Sequence, residues 1–157
     1  MTEPTIILLD SFLVGGISTR TRNSDETPPA TNKIGPLWGR FHQQGLINNI
    51  PHPANGRHPY GIYADYESDD KGFYTLTAGV KITAPPPPHS GFTSVAISAG
   101  HYLQFSKKGP LPQVVIDLWR DIWQYFSTTQ TYQRLYSTDI EDYGGDGITI
   151  FIAVRGS

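Results

Sequence analysis

The run Asp139-Ile140-Glu141-Asp142-Tyr143 holds three carboxylates in four residues and ends on a phenol ring. On a strand, alternation puts Asp139, Glu141 and Tyr143 on one face and Ile140 on the other. Glu141 then has two readings. Facing water, it is a solvated acid beside Asp139 and Asp142. Facing an interior groove, it is a lone buried charge, which is costly unless it is paired or takes up a proton. Lys and Arg are scarce around it, and Arg134 is the nearest in sequence. A desolvated carboxylate with no internal cation suits recognition of a cationic ligand, and rings beside it would add cation–π attraction of about 0.5–2 kcal/mol each. With a raised pKa, the same group could instead act as a general base.

The rings that could serve this carboxylate follow from spacing. Trp38 and Trp119 lie in apolar helical stripes, where core packing is the default. Trp123 falls one turn further on and could reach a groove wall. Tyr63 and Tyr143 share the expected face with Gly61 and Glu141. Phe105, with Tyr74 and Tyr102, completes the candidates. Other chemistries have no support. The five histidines (42, 52, 58, 89 and 101) form no metal-ligand spacing, and there is no Cys. GxSxG, P-loop and dinucleotide fingerprints are absent, so no cofactor and no nucleophilic triad are expected.

The positioning elements come from an internal repeat. Ile34, Leu37, Trp38 and Phe41 fall at i, i+3, i+4 and i+7, one face of an amphipathic helix. Val115, Leu118, Trp119 and Ile122 repeat that spacing 81 residues later, and Trp123 and Phe126 extend it. Strand-like runs precede each helix, from about 11 to 21 and from about 92 to 105. Two more follow each: Tyr60-Gly61-Ile62-Tyr63 and 73–82, then Ile140-Glu141-Asp142-Tyr143 and 148–154. Each half therefore reads strand, helix, strand, strand, over about 5–83 and 90–155, joined by the proline-rich linker 84–89. Thr31 or Asn32 is the expected cap of the first helix. In the last strand Ile148, Ile150, Ile152 and Val154 should face a helix. One half would bury too little surface alone. Two joined edge to edge make a single α+β domain over 1–157: one antiparallel sheet, two helices and a central groove. Glu141 occupies the position that Gly61 holds in the first half, so the repeats diverge where charge and room are needed.

Composition limits the partners. Net charge is −2, and no basic run exceeds Lys107-Lys108, so direct nucleic-acid binding is not expected. The apolar run Ile6-Ile7-Leu8-Leu9 is too short for a signal peptide or a membrane span. A soluble, cytoplasmic protein is expected. Aromatic residues make up 12% of the chain, a surplus that suits a pocket or an interface.

With these segments in view, the chain resembles the GyrI-like effector-binding domains, the ligand-binding halves of AraC-type and MerR-type regulators. It is most similar to the stand-alone, integron-associated effector-binding proteins. The resemblance rests on Ile34 to Phe41, Tyr60-Gly61-Ile62-Tyr63 with Tyr66-Glu67-Ser68-Asp69, Gly79-Val80, Gly100-His101-Tyr102 with Gly109-Pro110, and Ile140-Glu141-Asp142-Tyr143. It implies the duplicated fold, a groove for lipophilic cations with Glu141 as anionic partner, and ring contacts from Trp38, Tyr63 and Tyr143. Ile140 stands where the family often carries an aromatic ring, and no helix-turn-helix accompanies the domain. Two alternatives remain open at this point: a hydrolase of strained electrophiles that uses Glu141, and a gyrase-inhibitor-like interaction module.

Overall fold

The structure is a computed structural model that describes residues 3–27, 31–128 and 131–156. Its strands are β1 (Thr5–Leu9), β2 (Phe12–Thr21), β3 (Tyr60–Ala64), β4 (Tyr74–Ile82), β5 (Thr93–Ile97), β6 (Gly100–Lys107), β7 (Arg134–Asp142) and β8 (Ile148–Val154). Its helices are the short α1 (Asn23–Glu26), then α2 (Ile34–Gln43) and α3 (Gln113–Thr128). All pairings are antiparallel in one sheet, in the order β1-β6-β8-β7-β3-β4-β2-β5. The α+β architecture expected from the repeat is present.

The order reads the same when the two halves are exchanged. Strands β2, β4 and β3 of the first half mirror β6, β8 and β7 of the second, and β3 meets β7 at the seam. Each half also carries one strand more than the repeat suggested. The run expected over 92–105 is two strands, β5 and β6, parted at Ser98-Ala99, and β1 precedes β2 in the same way. These additional strands are exchanged: β1 pairs with β6 of the second half, and β5 with β2 of the first. The pairing keeps the same offset on both sides of the break, from Thr5↔Gln104 to Leu9↔Gly100 and from Phe12↔Ile97 to Gly16↔Thr93, so β1–β2 runs antiparallel to β5–β6 at opposite ends of the strand order.

The helices form where the stripes predicted, and each stripe divides into a core edge and a groove edge. In α2, Leu37 and Phe41 are buried under the first half of the sheet, while Ile34 and Trp38 flank them. In α3 the buried line is Val114, Leu118 and Ile122, and Trp119 lies beside it. Ile148, Ile150, Ile152 and Val154 pack beneath α3, as alternation required. On the opposite face, Ile62 and Ile140 join Val14, Ile97 and Tyr102 in a separate cluster. The start of α2 differs from expectation. Lys33 is its N-cap residue and makes no side-chain cap. Glu26 of α1 instead accepts from the Lys33 and Ile34 amides at 3.0–3.1 Å. A carboxylate at a helix N-terminus satisfies orphan donors and complements the dipole, which a Thr or Asn hydroxyl or amide does less strongly. At the other end Gly45, with φ 59°, donates to the His42 carbonyl and turns the chain away.

Candidate functional site

A groove of about 1080 Å³ opens between α2 and α3 above the β3–β7 seam. Its floor is the seam itself, where Gly61 and Glu141 stand directly opposite one another. The two positions related by the repeat are therefore in contact at the pseudo-twofold axis. A Cβ on Gly61 would come within 2.5 Å of Glu141 Oε1 and 3.1 Å of the Trp38 ring. Glycine here leaves the space that the carboxylate fills.

Glu141 is 2% exposed. Tyr63 Oη and Trp119 Nε1 both donate to its Oε2 at 2.8 Å, and Tyr143 Oη donates to Oε1 at 2.9 Å. The three donors are neutral, and among the described residues no cation pairs with this carboxylate. Burial pushes its pKa above the ordinary 4.5, while the hydrogen bonds from Trp119, Tyr63 and Tyr143 pull the other way. The phenols of Tyr63 and Tyr143 are raised in turn, first by burial and then by the adjacent carboxylate, and so remain donors.

The rings enclose this carboxylate from two sides. Trp38 meets Tyr143 edge-on with centroids 5.2 Å apart, and Tyr63 meets Trp119 edge-on at 5.3 Å. Trp123 continues the α3 wall 6.2 Å from Trp119 and is 47% exposed at the rim, with Leu111 and Ile116. Of the expected site residues, Glu141, Trp38, Tyr63, Tyr143, Trp119 and Trp123 all line the groove. Phe105 is the correction. It is fully buried in the second core, 5.4 Å from the Tyr125 ring under α3. Strand β6 is separated from the seam by β8, so a side chain on its helix-facing side reaches α3 and not the groove. Tyr74 does line the groove, whereas Tyr102 lies on the opposite face, bonded to Thr138 at 2.7 Å. Ile140 faces that side too, away from the groove.

The other same-face acid, Asp139, is wholly buried and fully engaged. Its Oδ2 accepts from Arg134 Nη2 at 2.8 Å and from Tyr66 Oη at 2.5 Å, and its Oδ1 accepts from the Ala153 amide at 3.0 Å. Arg134, nearest in sequence to Glu141, is thus paired elsewhere. Arg134 and Tyr66 line the groove, and sequence reasoning gave neither a role there. The signal was the alternation that put Asp139 beside Glu141: a second buried acid needs a cation, and Arg134 was the one at hand. The loop 48–59 is a pinned connection. Ile50 is buried in the first core, the Ala54 amide donates to Lys81 O at 2.9 Å, and Pro59 lines the groove. Among the described residues no group of three or more His, Cys, Asp or Glu could hold a metal ion, and no helix is long and apolar enough to cross a membrane.

The fold recurs in known proteins. Residues 5–154 match the model of one family, Cass2, described as integron-associated effector binding protein. The integron cassette protein VCH_CASS2 from Vibrio cholerae is 36% identical, with 98% of this chain and 96% of that one aligned at a TM-score of 0.81. The protein SAV2435, in a structure bound to tetraphenylphosphonium, shares the fold at 20% identity and a TM-score of 0.78, over 99% and 95% of the two chains. The C-terminal domain of EcmrR shares it at 13% identity and a TM-score of 0.61, over 99% and 98%. Among curated proteins none matches. With the match covering nearly its whole length, the chain belongs to the family of integron-associated effector binding proteins.

Proposed function

We propose that this protein binds lipophilic organic cations reversibly, to sense or sequester them, with Glu141 as the anionic partner in the aromatic groove. The observation that carries this reading is the state of Glu141: buried, held by three neutral donors and, among the described residues, given no counter-charge. An ionised carboxylate in that position is incompletely compensated, and an incoming monocation supplies the missing charge. The edge-on rings of Trp38, Tyr143, Tyr63 and Trp119 supply apolar area and cation–π attraction at once. SAV2435, of the same fold, is bound to tetraphenylphosphonium, a cation of this class.

The test is a tryptophan-fluorescence titration with tetraphenylphosphonium, neutral triphenylphosphine oxide and the shape-matched anion tetraphenylborate. The phosphonium should quench saturably, because Trp38 and Trp119 flank the carboxylate. Glu141→Gln should weaken the phosphonium by about 2 kcal/mol or more, roughly thirty-fold, since it removes the buried partner of a charge. The neutral compound should change little between the two proteins. Equal losses for cation and neutral compound would refute the assignment. Recovery of a strained electrophile such as an aryl epoxide, unchanged beyond its spontaneous hydrolysis after long incubation with the protein, separates binding from the hydrolase reading, which requires turnover.

A further inference from the structure

Glu141 is not the only polar group with unspent capacity in the groove. Arg134 also lines it, with its side chain only 8% exposed. The guanidinium gives Nη2 to Asp139, while among the described residues its buried Nε has no hydrogen-bond partner and its Nη1, the donor a groove ligand can reach, makes no hydrogen bond either. Buried donors in folded proteins are nearly always satisfied, and guanidinium donors are among the costliest to leave open. The placement is built. The β7–β8 register shifts between Arg134 and Asp139, and within that bulge Tyr136 takes a left-handed φ of 55°. Bulges of this kind re-aim side chains beside functional sites. The guanidinium carbon lies 4.4 Å from the centroid of the Tyr136 ring and 5.9 Å from that of Phe126.

A row of rings joins the two groups. Tyr63 donates to Glu141, and Tyr66 donates to Asp139 beside Arg134. Tyr74 stands between them, 5.3 Å from Tyr63 and 5.9 Å from Tyr66. The groove therefore has an anionic pole and a donor pole, connected by an aromatic track.

We propose that Arg134 is the second recognition point of the groove and takes a neutral oxygen acceptor carried by the cation. This rests on the cation reading above. The acceptor is neutral because Asp139 already balances the charge of Arg134, and a carboxylate on the ligand would meet Asp139 and Glu141 without a free counter-ion. The ligand class narrows from any lipophilic cation to cations bearing an ester, ketone, ether or amide oxygen at a distance set by the track.

Calorimetric titration of triphenylphosphonium cations with alkyl chains of graded length tests this. The chain would end in a methyl ester, a carboxylate or a plain alkyl group. At one chain length the ester should bind about tenfold tighter than its alkyl counterpart, although it is the less apolar of the two. The carboxylate should gain nothing. In Arg134→Lys, which keeps a charge for Asp139 but loses the guanidinium fork, the ester-over-alkyl preference should collapse. Alkyl cations that bind the wild-type protein with no ester preference at any length would overturn the proposal, as would a preference that survives in Arg134→Lys. If that variant fails to fold, the wild-type comparison decides alone. If no phosphonium binds at all, the cation reading fails and this inference falls with it.

Discussion

At the scale of residues, the candidate site is centred on one pair, Gly61 and Glu141, which face each other across the seam. A duplicated scaffold offers both halves the same position, and it cannot hold two side chains at the axis. A methyl group at Gly61 would collide with the Glu141 carboxylate and crowd Trp38. Gly61→Ala should therefore turn Glu141 away from Tyr63, Tyr143 and Trp119. Tetraphenylphosphonium affinity should fall by about tenfold or more, while the far-ultraviolet circular dichroism keeps its native shape. Undiminished affinity in a folded Gly61→Ala protein would show that the carboxylate's position is not what binds. The three donors matter in the same way. They hold the acceptor oxygens in place, so on the proposed function less ordering remains to be done when a cation binds.

At the scale of elements, α2 and α3 each serve two surfaces. Leu37 and Phe41 anchor α2, and Leu118 and Ile122 anchor α3, so that Trp38 and Trp119 are fixed on the groove edges. The orientation of α2 also depends on Glu26, which takes up its first amides and accepts from Thr21 Oγ1. Glu26→Ala should cost about 1–2 kcal/mol in urea unfolding, the range expected for a lost helix cap. A stability equal to wild type would place the start of α2 under the control of packing alone. The tightly bonded strand β7 does the opposite work to a flexible wall. It carries Arg134, Asp139 and Glu141 on one edge of the seam, and its bulge sets the spacing between the first two.

At the scale of the whole molecule, burial of Glu141 couples folding to protonation and, on the proposed function, to binding. Its folded pKa is raised above the ordinary 4.5 by desolvation. The folded protein therefore holds a proton there at pH values where the unfolded chain has lost it. This group's contribution to stability falls as pH rises from about 4.5 through the raised pKa, and is level beyond it. Glu141→Gln should flatten that part of the profile, as measured by urea midpoints across the range. A cation needs the ionised form, so its affinity should fall as pH drops through the raised pKa. Binding inside that window should release a proton, visible as calorimetric heats that change with the buffer's ionisation enthalpy. Heats that are independent of buffer throughout would contradict the coupling.

The halves and their helices were legible because they are periodic. The stripes Ile34-Leu37-Trp38-Phe41 and Val115-Leu118-Trp119-Ile122 and the alternation in Ile148–Val154 are local patterns that burial imposes on sequence. The same alternation marked Asp139, Glu141 and Tyr143 as one face. Non-local geometry was not written there. Nothing in Thr5–Leu9 or Thr93–Ile97 says that each pairs with the opposite half, because backbone pairing is blind to side-chain identity along a short strand. Phe105 and Trp119 are both large rings on apolar faces, and only the strand order places one beneath α3 and the other against a carboxylate. The sequence by itself determined the repeat, the helix faces and the odd acid at the axis. The tertiary structure decided that this acid is buried with no cation beside it among the described residues while Arg134 is drawn to Asp139, because which charges meet depends on how strands from distant parts of the chain are brought side by side.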